Sequence, residues 1–332
     1  MPLIRPTLLP GLSRSWRGPH TLQLGADPAR AVLIDLPDPR AADLLDLLDG
    51  SRSEHAVLRR APDHGITPDD ARVLIDTLTA AELVLPAPAL HPPTPSLAGE
   101  SAALALDRTA HPGQTLRRRG AARVLITGHG RLGAPVAVAL AEAGVGQIHA
   151  DLPGSVTAAE LPGGPLSGAD IGRSRADAVA AALARASPEI NTVTVRRGAA
   201  SLAVQLGYDQ PVALLAVAYL RRRQPHLALS VREGIAAVGP LVPASGGPCL
   251  NCVDLHRRER DPGWTGFLPS IEPCRVATVL AAAAFATAEV LAFLDGDDPE
   301  TLGATVEVSS PGRFRRRTWH PHPGCSCARS HR

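Results

Sequence analysis

The chain has 332 residues, 45% of them hydrophobic and 20% charged, with a formal net charge of +2. That balance excludes a disordered chain and supplies no excess charge with which to hold nucleic acid. All 34 basic residues are arginine, which excludes mechanisms built on a P-loop lysine or a lysine Schiff base.

The length suits about two domains, and with only 3% aromatics the cores must be built from Ala, Leu and Val. Arginines cluster at Arg117 to Arg119, Arg221 to Arg223 and Arg315 to Arg317, with too few aromatics between them for base stacking, so they read as solvated faces. The N-terminal MPLIRPTLLPGL has no continuous apolar h-region, and no stretch is expected to approach the ~18 apolar residues of a membrane span. The expectation is a cytoplasmic protein with neither nucleic acid nor membrane as partner.

Residues 1 to 88 read as a small separate domain. Thr21 to Leu24 and Ala31 to Asp35 are apolar runs split by Gly-Ala-Asp-Pro, as in a hairpin. Three helices follow. Pro39 to Leu48 places Ala42, Leu45 and Leu48 on one face, and Ser53 to Arg60 comes next. The third opens on Thr67 as N-cap with Pro68 at its first position, and turns Val73, Leu74, Leu78 and Leu83 to the core. A hairpin with three helices is a winged-helix plan. The third helix carries acids where a DNA reader needs donors, so DNA is not the expected ligand.

Residues 89 to 120 form a linker and helix: the stretch 86 to 97 is proline-rich and expected to be extended, and Ala102 to Arg108 is expected to be helical. The rest, residues 121 to 328, reads as α/β, a doubly wound and mainly parallel sheet. It begins with a strand at Val124 to Thr127 and then Gly128-His129-Gly130-Arg131-Leu132-Gly133. A helix over Ala134 to Ala143 follows, and a second strand ends at Asp151, 23 residues after Gly128. Glycines between a strand and a helix allow a tight turn, a close backbone approach to phosphate and close helix packing, and the helix N-terminus favours an anion. Gly128, Gly130, Arg131, Gly133 and Asp151 are therefore the candidate nucleotide-binding residues. After a Pro- and Gly-rich loop at 153 to 168, the pattern gives a helix over Ala169 to Ala186 with an apolar face at Ala176, Val179, Ala180 and Leu183. Strands are expected at Ile190 to Val195, Val212 to Val217 and Leu227 to Arg232. A long apolar helix spans Arg275 to Leu294, ended by Gly296, and a hairpin joins Val306 to Ser309 with Arg313 to Thr318.

Four of the five cysteines fall in two close pairs, Cys249/Cys252 and Cys325/Cys327, each on a turn. Two such pairs supply four thiolates to a tetrahedral structural Zn²⁺, with His320 and His322 nearby as substitutes; the alternative is free buried thiols. A redox CxxC lacks its usual context. Cys274, alone before the long helix, reads as core or as a nucleophile activated by the helix dipole.

With these features in order, residues 98 to 328 resemble the ThiF/MoeB group of E1-like proteins, which activate ubiquitin-like and sulfur-carrier proteins. The resemblance rests on the Gly128 to Gly133 turn, Ala143-Gly144-Val145-Gly146, the Ile171-Gly172 to Ile190-Asn191 helix and strand, both cysteine pairs and the long helix. Residues 1 to 88 separately resemble the winged-helix, PqqD-type peptide-recognition domains, in which a leader peptide adds as a strand to a sheet edge. The combination is similar to the E1-like partner proteins of peptide natural-product clusters.

The resemblance implies ATP and Mg²⁺ at the glycine turn, adenylation of a C-terminal carboxylate, a precursor or leader peptide as partner, a partner modifying enzyme and a homodimer. It places Asp151 on the ribose and Arg175 at the phosphate-binding lysine position. It finds no arginine in Ala158 to Pro165, where the family's arginine motif belongs, and no cysteine for a thioester in Val253 to Pro273. With the strand at Val212 to Val217, it finds no metal-binding acid in Ala216-Val217-Ala218-Tyr219. These gaps leave the catalytic residues unassigned. They imply a peptide-binding protein whose adenylation is weak or lost, against the alternative of an active ATP-dependent adenylyltransferase.

Overall fold

The computed structural model describes residues 5–28, 30–107, 109, 111–264, 266, 273–310 and 312–327. It divides into two compact units, Met1–Arg117 and Arg118–Arg332.

In the first unit, β1 (Pro6–Leu8) pairs antiparallel with β5 (Val84–Pro86), and β2 (Arg14–Trp16), β3 (Thr21–Leu24) and β4 (Val32–Asp35) form a three-stranded antiparallel sheet. Pro39–Leu47 is a 3-10 helix, followed by α1 (Glu54–Arg60) and α2 (Pro68–Ala80). Ser53 and Thr67 cap α1 and α2 by accepting the N–H groups of Ala56 and Asp70, as their sequence positions led one to expect. The buried face of α2 is Ala71, Leu74, Ile75 and Leu78, while Val73, expected in the core, is 65% exposed. A 3.6-residue period that includes Leu74 and Leu78 leaves no room for Val73 on the same stripe.

The proline-rich stretch is not extended: α3 (Ala87–Leu90) and a 3-10 turn at Pro95–Leu97 occupy it, each with proline near its start, where a missing N–H costs nothing. Next come α4 (Ala98–Leu106) and α5 (Pro112–Ala121), which spans the division between the units.

The second unit is built on a seven-stranded sheet in the order β12-β11-β10-β9-β8-β6-β7. Four strands are parallel: β6 (Arg123–Thr127), β7 (Gln147–Asp151), β8 (Leu202–Gln205) and β9 (His226–Arg232). Antiparallel β10 (Ile235–Val242), β11 (Ala304–Ser309) and β12 (Arg313–Thr318) extend it. Alternate residues of β6 face opposite sides, and each side is covered. Val124 and Ile126 join α6 (Gly133–Glu142), α7 (Arg175–Ala186) and α10 (Val276–Asp295) in one core; Leu125 joins α8 (Val212–Arg222) and α9 (Leu250–Arg260) in the other. This is the expected doubly wound α/β class.

Three sequence expectations change here. Val212 to Val217 is helix, not strand: Pro211 is the N-cap, and Val212, Leu215, Ala216 and Tyr219 form its buried face. The strand beside β6 is instead the four-residue Leu202–Gln205. Ile190 to Val195 forms no strand; Asn191 makes a single bridge to Gln147. Helix α7 starts at Arg175, capped by Ser174, and buries Ala178, Val179, Ala182 and Leu183, so the apolar face is rotated from the one expected.

Helix α10 is also long and apolar enough to cross a membrane, with mean hydropathy 2.0, against the expectation that no stretch would be. Here it packs Val279, Ala282, Ala283, Ala286 and Val290 into the core. Small residues let it approach α6 and β10, and its charge is taken up internally: Asp295 receives the buried Arg119, at 2.6 Å.

Candidate functional site

The carboxyl ends of β6, β7 and β8 lie side by side, at the edge where open parallel sheets bind ligands. Gly128 and Gly130 take φ of +102° and +136°, which suits glycine alone without strain. A side chain at Gly128 would collide with the Gly207 carbonyl, and one at Gly133 would lie 2.8 Å from Leu206 Cδ1. These two glycines therefore serve close packing of the turn on the segment after β8. His129 and Gly207 exchange backbone hydrogen bonds of 3.0 and 2.8 Å across that contact. In the first turn of α6 the Gly133 N–H donates to the Gly130 carbonyl at 3.5 Å, Pro135 has no N–H and the Val136 N–H donates to the Leu132 carbonyl at 3.2 Å, so the Ala134 N–H is the one left for an anion.

The charged candidates are all engaged. Asp151 accepts from Thr127 Oγ1 at 3.1 Å and Arg197 Nη2 at 3.0 Å, and both members of its ion pair are about half exposed. Arg175 donates to Glu160 at 2.7 and 3.0 Å and to the Pro153 and Ser155 carbonyls, with both acid and base mostly buried. Burial would raise the Glu160 carboxyl, but Arg175 and the Thr157 N–H outweigh it and hold the group below its ordinary value. Arg131 does not face the turn; it donates to the carbonyls of Cys274 (3.0 Å) and Pro162 (2.9 Å). Cys274 itself is partly buried against the core, its sulfur 3.6 Å from the Gly234 carbonyl.

An acid missed in the sequence stands in the crevice. With β8 at Leu202–Gln205, the residues after the strand are Leu206-Gly207-Tyr208-Asp209, which end in an acid that Ala216 to Tyr219 lack. Its carboxylate is 91% exposed and lies 3.1 Å from His129 Nε2, at ion-pair distance but without hydrogen-bond alignment. The signal was present as an apolar run ending in Gly-Tyr-Asp, with Pro211 marking the next helix. The longer apolar run of α8 obscured it.

The four paired cysteines converge. All are buried, with sulfur separations of 3.9 Å (Cys249 to Cys252), 3.6 Å (Cys249 to Cys325) and 3.2 Å (Cys252 to Cys327). A zinc tetrahedron with Zn–S of about 2.3 Å has edges of about 3.8 Å, close to this spacing. Hydrogen bonds stabilise negative sulfur: the His322 N–H reaches Cys252 and Asn251 Nδ2 reaches Cys325, both at 3.3 Å. Cys252 is held low, first by the Cys249 thiol donating to it, while burial raises Cys327. His322 is not a fifth donor, because its Nε2 meets Glu259 at 2.7 Å and its Nδ1 accepts the Gly324 N–H at 3.0 Å. The donor set fits a closed, structural metal site.

A cavity of about 540 Å³ lies beside the cysteines and borders His226, which opens β9, at the end of the sheet away from the glycine turn. His226 is buried, stacks on Tyr219 at 4.1 Å, and is pushed down to about 4 by burial, so it is neutral.

A model of the ThiF family matches residues 101–327, more than half of the chain, and the chain therefore belongs to the ThiF family. Among solved structures, Escherichia coli MccB with ATP is similar over 97% of this chain and 99% of that one, with a TM-score of 0.70 and 18% identity. The microcin C7 biosynthetic enzyme MccB in complex with N-formylated MccA matches with the same coverage, TM-score 0.70 and 18% identity. Selenomethionine-labelled PaaA matches over 94% of this chain and 99% of that chain, with TM-score 0.64 and 16% identity. At such identities the likeness is one of fold. No curated protein sequence matches the chain.

Proposed function

Starting from that family membership, we propose that the protein binds ATP and a peptide and activates a carboxylate of the peptide as an acyl-adenylate. A carboxylate oxygen attacks the α-phosphorus, a C–O–P linkage forms, and pyrophosphate departs with the electrons of the broken P–O bond. Negative charge builds on the phosphates, so the site needs fixed positive potential and a metal.

The observation that carries this reading is Asp209, an exposed carboxylate beside His129 and the glycine turn. It would hold Mg²⁺, which neutralises phosphate charge when bound. The Ala134 N–H at the start of α6 would receive a phosphate oxygen, and Asp151 would take the ribose hydroxyls. The likeness to MccB, solved with ATP and with MccA, supports the choice of substrates.

A second reading, a peptide-binding protein with weak or lost adenylation, is favoured by one feature: Arg175 is matched to Glu160, leaving its positive charge compensated inside the protein. ATP–pyrophosphate exchange driven by a precursor peptide separates the two. Exchange that Asp209→Asn lowers at least tenfold supports the first. Peptide binding without any exchange supports the second.

In either case the first unit would hold the peptide in the winged-helix manner, added as a strand along an open edge of the β2-β3-β4 sheet. A Zn²⁺ ion on Cys249, Cys252, Cys325 and Cys327 would tie the C-terminal segment to α9. A homodimer, tested by light scattering, and a partner modifying enzyme complete the proposal.

A further inference from the structure

Most partly buried arginines of the second unit have a partner: Arg119 has Asp295, Arg175 has Glu160, and Arg131 has two carbonyls. Arg232 and Arg257 differ. Both are half-buried, and among the described residues neither guanidinium donates a hydrogen bond or forms an ion pair. Their guanidinium groups instead stack on one indole, 5.1 and 5.2 Å from the centre of Trp264, and Arg257 also lies 5.9 Å from Trp319. Stacking engages the face of a guanidinium and leaves its N–H edge for a planar anion.

Glu307 attracts both cations, and Glu233 attracts Arg232, without an ion pair to either arginine, and Asp254 is engaged elsewhere. Asp254 accepts from Trp264 Nε1 at 2.7 Å through one oxygen and from Arg258 Nε at 2.8 Å through the other. That arrangement fixes the indole and, through it, both cations. Burial first, and then repulsion from Arg232, pulls Arg257 down to about 10 against the attraction of Tyr208 and Glu307, so the pair is held together at a cost that a directly bonded anion would relieve further.

The place is continuous with the crevice. Arg232 is the last residue of β9, which runs parallel to β8, and Tyr208 immediately precedes Asp209. Gln205, Tyr208, Asp254, Arg257 and Trp264 border one cavity of about 40 Å³, and Arg232 reaches it only by way of the Trp264 ring. On the same measure a water needs about 10–15 Å³, so the space takes one carboxylate group with little to spare.

We propose that Arg232 and Arg257, braced on Trp264, form a carboxylate-recognition subsite that selects an acidic side chain near the C-terminus of the peptide substrate. This rests on the peptide-activating function proposed above. The two guanidinium edges would grip the side chain while the terminal carboxylate lies toward the end of β8.

The test uses the full-length protein and synthetic hexapeptides with one Glu placed in turn at each of the four positions before the C-terminal residue, each paired with its Gln counterpart. Binding is read by the fluorescence of Trp264, with Trp264→Phe as the control that removes the signal. One Glu peptide is expected to bind at least tenfold more tightly than its Gln partner, a ratio that fits a charge-assisted contact. Arg257→Gln and Arg232→Gln should each collapse that ratio toward one with unchanged melting temperature. Arg232→Gln, at the end of a strand, serves if Arg257→Gln does not fold.

Equal binding of every Glu and Gln pair overturns the subsite, as does a preference that survives both substitutions. Competition by Mg·ATP for the same fluorescence change also overturns it, assigning the cations to nucleotide phosphate. Glutamate-selective binding without pyrophosphate exchange would keep the subsite and defeat adenylation; exchange without selectivity would do the reverse.

Discussion

Two sites in the second unit hold charge in opposite ways. At Cys249, Cys252, Cys325 and Cys327 the groups are alike, buried and turned on one another, so burial and mutual repulsion oppose ionising more than one thiol until a cation arrives. Around Gly128 to Gly133 the groups are of both signs and already paired, Arg175 with Glu160 and Arg197 with Asp151. The first arrangement could take a cation among its four sulfurs. The second is stable alone, and any nucleotide must compete with bonds the protein makes to itself. That difference orders the expected effects of substitution.

The largest belongs to the cysteines. Cys252→Ser is expected to abolish bound zinc, measured by elemental analysis, and to lower stability on the order of 5 kcal/mol or more, since structural zinc sites convert roughly 10–16 kcal/mol of binding into folding. Metal-free wild type that melts at the same temperature as the purified protein would erase the contrast between the two sites.

The same contrast explains what could be read from the sequence. The cysteine clip was legible because residue type and spacing suffice: CxxC and CxC on turns can meet wherever the chain closes. The glycine turn was legible because strand, Gly128 and Gly130 and helix follow one another without interruption. Asp209 was not, since its role depends on which strand it follows. The apolar Val212 to Val217 reads as that strand by composition, although Pro211 and the continuing stripe through Leu215, Ala216 and Tyr219 mark a helix. β8 is only four residues long and carries little signal of its own. Nor does spacing reveal that Glu160 closes on Arg175, because a loop and not a helix brings them together. The stacking of Arg232 and Arg257 on Trp264 likewise joins a strand to the segment after α9.

His226 gives the next effect, at the cysteine end of the sheet. Its folded value of about 4 lies below the ordinary 6.5, so the folded state binds fewer protons between those limits. Above pH 6.5 both states are neutral and there is no slope. As pH falls from 6.5 to 4 the unfolded chain takes a proton and stability declines by about 3 kcal/mol; below 4 the dependence ends. Urea denaturation at several pH values, compared with His226→Gln, isolates this contribution from metal loss. An identical slope in both proteins would assign it elsewhere.

Glu160→Gln probes the self-paired crevice directly. Its loss should cost about 2 kcal/mol, below the 3–5 kcal/mol of a fully buried pair because some water reaches both groups. If Arg175 serves phosphate, the variant should bind Mg·ATP more tightly in calorimetry while melting earlier. Weaker ATP binding would mean that Glu160 holds Arg175 in place for nucleotide, and unchanged binding would remove Arg175 from the site.

The smallest stability effect is expected at Arg197→Ala. The pair with Asp151 spans 3.0 Å but both side chains are about half exposed, so solvent screening leaves it no more than about 1 kcal/mol. The functional effect should be larger than the structural one. Asp151 would lose its cationic competitor and keep Thr127, so its carboxylate would be freer to accept from a ribose hydroxyl. The preference for ATP over 2′,3′-dideoxy-ATP should then rise several-fold in Arg197→Ala and vanish in Asp151→Ala, measured by competition binding at fixed ionic strength. A preference that Asp151→Ala leaves intact would take the ribose away from the end of β7, and with it the assignment of the crevice as a nucleotide site laid out along β6 and β7.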